Sequence, residues 1–214
     1  MQLDNIEIKW LGHSGFLIKG EKTIYIDPYQ IDVNDKADLI LITHSHHDHL
    51  SIEDINRIIT NNTQIVIPND CLSKLGKLSK EIKFAMLEPG MSVNIFGIDI
   101  KAVPAYNVNK HFHGKTEYWN GYVINPDGKK IYHAGDTDLI PEMGELEGID
   151  IALLPVGGTY TMTAEEAARA AILIRPKVAI PMHFGKAVGS KEDALKFMEA
   201  CEQDGVSCRV LEKQ

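Results

Sequence analysis

Cysteine is scarce in this 214-residue chain: Cys71, Cys201 and Cys208 form neither an even set nor a Cys-x-x-Cys pair, which excludes a disulfide framework and suits a reducing compartment. They read as packing residues. No uninterrupted apolar run reaches the roughly 18 residues that a membrane-spanning helix requires. The opening MQLDNIEIKW puts acids ahead of any apolar stretch, so the basic-then-apolar order of a secretory leader is missing. These absences predict a soluble, cytoplasmic protein. Basic charge is also in deficit, with 22 Lys and Arg against 30 Asp and Glu for a net charge of −8, and no basic arm is present to grip a polyanion. Nucleic acid is therefore an unfavoured partner. No low-complexity tract or linker divides the chain, which at 44% apolar and 24% charged residues has a globular composition and predicts one domain over 1–214 with a layered core.

Histidine is what the chain has in excess. Nine are present, and four of them, His44, His46, His47 and His49, crowd into one short segment.

Apolar runs of strand length recur at 6–10, 15–20, 22–27 and 38–43, separated by Gly-rich or acidic breaks. Ser51 with Asp54 three residues on predicts a boxed helix start, with Ile52, Ile55, Ile58 and Ile59 on the apolar stripe. A strand at 64–68, a short helix over 69–78 and strands near 82–87, 92–95 and 97–104 follow. The polar and aromatic stretch 105–119 predicts a long loop, and loops of that length in compact domains are usually functional. Asp127-Gly128 predicts a hairpin turn. Beyond it, strands at 150–156, 178–183 and 206–211 alternate with helices capped by Thr163 with Glu166 and by Ser190 with Asp193. Mixed hairpins and strand–helix–strand units with buried Val/Ile runs favour an α/β (α+β) architecture: two mixed sheets packed face to face with helices outside.

The string His44-Ser45-His46-His47-Asp48-His49 follows the apolar run LILIT, where a buried strand ends and the chain turns toward the Ser51-capped helix. Residues two apart on an extended segment share a face, so His44 and His46 can address one ion, and the turn lets Asp48 and His49 address a second. His47 lies between the pairs and points away. Imidazole mixed with carboxylate and no thiolate suits Zn²⁺, Mn²⁺ or Fe.

The string also resembles the H-x-H-x-D-H signature of the metallo-β-lactamase fold superfamily. Further matching pieces are Trp10-Leu11-Gly12-His13-Ser14, Ile26-Asp27-Pro28, His133-Ala134-Gly135-Asp136-Thr137 and Pro181-Met182-His183-Phe184-Gly185, in the family's order. Together they look like the branch of metal-dependent hydrolases related to ascorbate 6-phosphate lactonase and N-acyl phosphatidylethanolamine phospholipase D. The resemblance implies a four-layer αββα sandwich. It also implies two divalent ions, Zn first, with Mn, Fe or Ni as the other candidates. His44 and His46 would carry the first ion, Asp48, His49 and His183 the second, with Asp136 between them.

Many relatives place a further histidine after the strand corresponding to 97–104, where this chain has Ala105-Tyr106-Asn107. Asn107, or His111 or His113 from the loop, is then left to complete the first ion's shell. His13, Asp27 and His133 stand as supporting groups; Gly157 to Thr161 read as a turn. The function implied is hydrolysis by a metal-bridging hydroxide, with Asp48 and Asp136 in the chemistry, on an ester, lactone or phosphodiester-type small molecule. The alternative is a metal-binding or ligand-sensing protein on the same scaffold with little turnover, favoured by the histidine missing at Asn107. A di-iron redox role is disfavoured, because those relatives carry Glu where this chain has His46.

Overall fold

Most residues of the strand-forming runs at 6–12, 15–19, 23–26, 39–41 and 64–67 are buried, whichever way their side chains point, whereas the flanking runs at 2–3 and 83–86 are largely exposed. The computed structural model, which describes residues 1–186 and 188–214, gathers these runs into a seven-stranded sheet in unbroken chain order. Its strands are β1 (Gln2–Leu3), β2 (Ile6–Gly12), β3 (Gly15–Lys19), β4 (Thr23–Ile26), β5 (Leu39–Leu41), β6 (Gln64–Ile67) and β7 (Lys83–Met86). Neighbours from β1 to β4 are antiparallel and those from β4 to β7 parallel. The second sheet repeats the plan with six strands, β8 (Ser92–Ile95), β9 (Ile98–Pro104), β10 (Asn120–Ile124), β11 (Ile131–His133), β12 (Ile151–Pro155) and β13 (Val178–Met182), again in chain order. Its neighbours are antiparallel up to β11 and parallel from there.

Period-two alternation sorts the side chains into layers. Ile24, Ile26, Leu39, Leu41 and Val66 face the second sheet and share its core. Their neighbours Tyr25, Ile40, Ile65 and Ile67 face outward and pack with Ile55, Ile58 and Ile59 of and beside α1 (Ile52–Ile58). Strands buried on both faces carry no polar alternation, which is why these segments read as continuous apolar runs. On the outer face of the second sheet, α3 (Ala164–Ile174) buries Ala164, Ala167, Ala168 and Ala171, a one-sided helical stripe, and packs beside α4 (Lys191–Gln203). The expected two-sheet sandwich with outer helices is the observed one. No helix among the described residues is long and apolar enough to cross a membrane.

Three local expectations change. Ser51 Oγ accepts from the Asp54 amide, but the Asp54 carboxylate turns to the amides of Gln30 and Ile31 at 2.8 and 3.2 Å, so it anchors the β4–β5 connection instead of closing a capping box. The helix over 69–78 shortens to a 3₁₀ turn at Asn69–Cys71 and α2 (Leu72–Leu75), which lack side-chain caps, and α2 buries no residue. The strand at 206–211 reduces to a single bridge, Ala179 with Cys208, because the tail leaves β13 to reach the other sheet, where Lys213 bridges Trp10. The boxed starts at Thr163 and Ser190 form as expected.

Candidate metal centre

Strands β2, β4 and β5 run in one direction within their sheet, as do β9, β11 and β13 in theirs. Their carboxyl ends supply every candidate donor: His13 after β2, Asp27 after β4, His44 to His49 after β5, His113 in the loop after β9, Asp136 after β11 and His183 after β13. Bonds between the sheets hold these ends together. The Asn120 amide donates to Thr43 O at 3.1 Å and the His183 amide to His13 O at 2.8 Å; the Tyr122 hydroxyl donates to Ile42 O at 2.8 Å. Asp27, His13 and His183 adopt left-handed backbone, with φ of +45°, +52° and +59°. Non-glycine residues hold that conformation only where the surroundings enforce it, and such residues gather at functional sites.

Asp27 orients two of the histidines. Its carboxylate accepts from the Thr43 amide at 2.8 Å, from the Thr43 hydroxyl at 2.6 Å and from His49 Nδ1 at 2.7 Å. Having given its one proton to Asp27, the Thr43 hydroxyl can only accept from His44 Nδ1, 2.9 Å away. Both rings therefore carry their proton on Nδ1 toward Asp27 and Thr43 and turn Nε2 toward Asp136. The distances from Asp136 oxygens to Nε2 are 3.0 Å for His183, 3.4 Å for His49, 3.4 Å for His113 and 4.0 Å for His44.

Three overlapping groups have donor atoms within 4.8 Å of one another: His44, His46 and His113; His13, Asp48, His49 and His183; and His44, His49 and Asp136. Among the buried polar atoms without a hydrogen-bond partner are His49 Nε2, His113 Nε2 and Asp136 Oδ1. Leaving such atoms unsatisfied costs about 1–3 kcal/mol each, and together they form a nitrogen-and-oxygen lining that fits divalent cations of the zinc and manganese class.

The electrostatics point the same way. Burial opposes a charge on His49, yet the carboxylates of Asp136 and Asp27 outweigh it and hold its pKa well above the ordinary value. A place that favours an imidazolium favours other cations. Burial lowers the pKa of His44, His46 and His113, leaving neutral rings suited to donate a lone pair. Burial also works against the Asp48 and Asp136 carboxylates, but the hydrogen bond from His13 holds Asp48 ionised and the charges of His183 and His49 hold Asp136 so.

The structure separates the two loop histidines. His113 is buried beside His44 and His46, with ring centroids at 5.3 and 5.2 Å, whereas His111 is exposed and joins none of the groups. Asn107 does not offer its oxygen to the cluster; Oδ1 accepts from the His113 amide and lies 3.2 Å from His113 Nδ1. His133 is likewise set apart. Its Nε2 lies 2.9 Å from Ser14 O and its Nδ1 accepts from the Gly135 amide, so it ties β11 to the β2–β3 turn. His13 lies inside the second group, its Nε2 3.0 Å from Asp48 Oδ2. His47 is exposed, as its position between the pairs implied. Sequence reasoning passed over Thr43, whose role depends on a hydroxyl shared by two partners; Trp119 ends the aromatic 105–119 stretch that was read as functional. The indole of Trp119 lies 4.7 Å from His44 and 4.9 Å from His46 and donates to Asp70 at 2.7 Å. A groove of about 940 Å³ between α3 and the turn at 141–148 shares no residue with the cluster.

The family model described as a beta-lactamase superfamily domain matches residues 7–183, a span that includes every donor above. A UPF0173 metal-dependent hydrolase from Nanoarchaeum equitans is 34% identical over 221 residues, 97% of each chain. This chain belongs to that hydrolase family. Among solved structures, one from Parabacteroides distasonis superimposes on this family member with a TM-score of 0.86 at 34% identity, covering 98% of this chain and 94% of the other. A metallo hydrolase from Ignicoccus hospitalis gives 0.80 at 30% identity, covering 97% and 95%.

Proposed function

We propose that the chain is a metal-dependent hydrolase with a two-ion centre, acting on a small-molecule ester, lactone or phosphodiester. The observation that carries this reading is the set of three adjoining donor groups, in which the buried trio His44, His49 and Asp136 links the other two through His44 and His49. His44, His46 and His113 would hold the first ion; Asp48, His49 and His183 the second, with His13 beside it and Asp136 between the two. Zn²⁺ suits the set first, with Mn²⁺, Fe or Ni next. Bound divalent ions supply Lewis acidity toward a carbonyl or phosphoryl oxygen and bring water into reach of ionisation near neutral pH.

The protein's own groups do the rest. Asp27 and Thr43 fix the tautomers of His49 and His44, which keeps their lone pairs aimed inward. Asp48, with Oδ2 engaged by His13, has Oδ1 left to accept a hydrogen bond from an attacking water. Trp119 closes one side against solvent. The reading as a binding protein without turnover drew its support from the histidine missing at Asn107, and the burial of His113 against His44 and His46 removes that support.

Protein stripped with chelator and reloaded with Zn²⁺ or Mn²⁺ tests the proposal on a panel of lactones, aryl esters and bis-aryl phosphodiesters. The expected result is two ions per chain and turnover that depends on them. Equal rates before and after stripping would overturn it, and about one ion per chain with no turnover across the panel would favour the binding reading.

A further inference from the structure

His113 comes from a loop, yet its ring, like those of His44 and His49, is tied through Nδ1. Asn107 accounts for this. Its backbone amide donates to His113 O at 2.7 Å, and the His113 amide donates to Asn107 Oδ1 at 3.0 Å, which closes the segment 107–113 into a ring. The same Oδ1 lies 3.2 Å from His113 Nδ1, and Tyr160 O lies at the same distance from that nitrogen. Both neighbours of Nδ1 are oxygens that only accept, so Nδ1 carries the proton and Nε2 the lone pair. Nε2 is the buried atom without a partner, 3.4 Å from Asp136.

The amide of Asn107 cannot be reversed. Its Nδ2 donates to Asp138 Oδ1 at 3.2 Å and to Tyr160 O at 2.9 Å; a flip would set an NH₂ against the His113 amide and an oxygen against the Asp138 carboxylate. Asp138 is pinned in turn by the Val108 amide at 2.9 Å and by the Lys110 ammonium. The geometry points to Asn107, backed by Asp138, as the positioning residue that fixes the tautomer and aim of His113 at the first ion. It does on the second sheet, with a neutral amide, what Asp27 does for His49 on the first, and it stands where a ligand histidine was expected. The inference rests on the proposal that His113 is a ligand.

Asn107→Leu keeps the size of the side chain and removes both hydrogen-bonding ends. Two measurements read the result: the His113 tautomer, from long-range ¹H–¹⁵N correlation on stripped protein, and Zn²⁺ affinity by competition with a chromophoric chelator. In the unmodified protein His113 is expected wholly as the Nδ1–H form. In N107L that form is expected to lose its dominance, and one of the two Zn²⁺ equivalents to weaken about 10–100-fold, the usual effect of removing a partner that orients a ligand. If N107L does not fold, N107A supplies the test: it removes the same two hydrogen-bonding ends, and the same loss of the Nδ1–H form and of affinity is expected. An unchanged tautomer and affinity in N107L, or in N107A where N107L does not fold, overturns the inference. His113→Ala separates the two levels. If it leaves both equivalents intact, the ligand assignment fails and the positioning role with it; if it loses one while the Asn107 variants keep both, only the positioning role fails.

Discussion

Single side chains at this centre act mainly by deciding where a neighbour's proton sits. Asp27 does so three times over, since one carboxylate receives the Thr43 amide, the Thr43 hydroxyl and His49 Nδ1. Replacing it by Asn would set an NH₂ against at least one of those donors. Asp27→Asn is therefore expected to lower metal affinity about 10–100-fold and to lose about 1–3 kcal/mol of folding stability for each donor left unpaired. Chelator competition and urea unfolding of the stripped protein check the two effects separately. Much at this level was legible in the sequence, because H-x-H-x-D-H constrains residue type at four positions within six, and Asp27 and His183 each end a recognisable apolar run. Asn107 and Thr43 were less so. An amide that orients and an amide that ligates look the same in a string of letters, and only the direction of Oδ1 tells them apart.

Elements position the centre through the few residues at which a strand gives way to a turn. Gly135 separates β11 from Asp136 with φ +66°, and a Cβ there would stand 2.7 Å from Asn120 O. Both the backbone conformation and the space demand glycine. Gly135→Ala should therefore destabilise the fold by more than the roughly 1 kcal/mol typical of an alanine forced to positive φ, and should weaken metal binding by displacing Asp136; thermal unfolding and metal content report the two. Caps at Thr163 and Ser190 and the Asp127-Gly128 hairpin could be read directly, since each depends on residues within four positions. The tail at 206–214 could not, because its course is decided by two strands, β13 and β2, that lie far away in the sequence.

For the molecule as a whole, acid should be the weakness of the stripped protein. Burial lowers the pKa of His13, His44, His46, His113 and His133 below 6.5. As pH falls through that value the unfolded chain takes up protons that the folded one refuses, so stability drops. His49 has the opposite sign. Its raised pKa gives a contribution that is complete below 6.5 and is lost as pH rises through the folded value. The five lowered histidines govern the acid side, so the melting temperature of stripped protein should fall between about pH 6.5 and 5, and the fall should be smaller in His44→Asn. A flat profile over that interval would contradict the assignment of rings that stay neutral in the folded protein.

The two sheets, with the turns that leave their strand ends, are made from separate stretches of chain, residues 2–86 and 92–183, and each of the three donor groups takes all but one of its members from the first stretch. His113, His183 and Asp136 are the single contributions of the second. An ion bound in any of these groups is thus a non-covalent cross-link between the halves, and its affinity measures how completely they have closed on each other. Loading and docking become one equilibrium read from either end. Free metal at a hundred times its dissociation constant would tighten the seam by about 2.7 kcal/mol, and a mutation anywhere along the seam that loosens closure would register as weaker metal binding without touching a ligand.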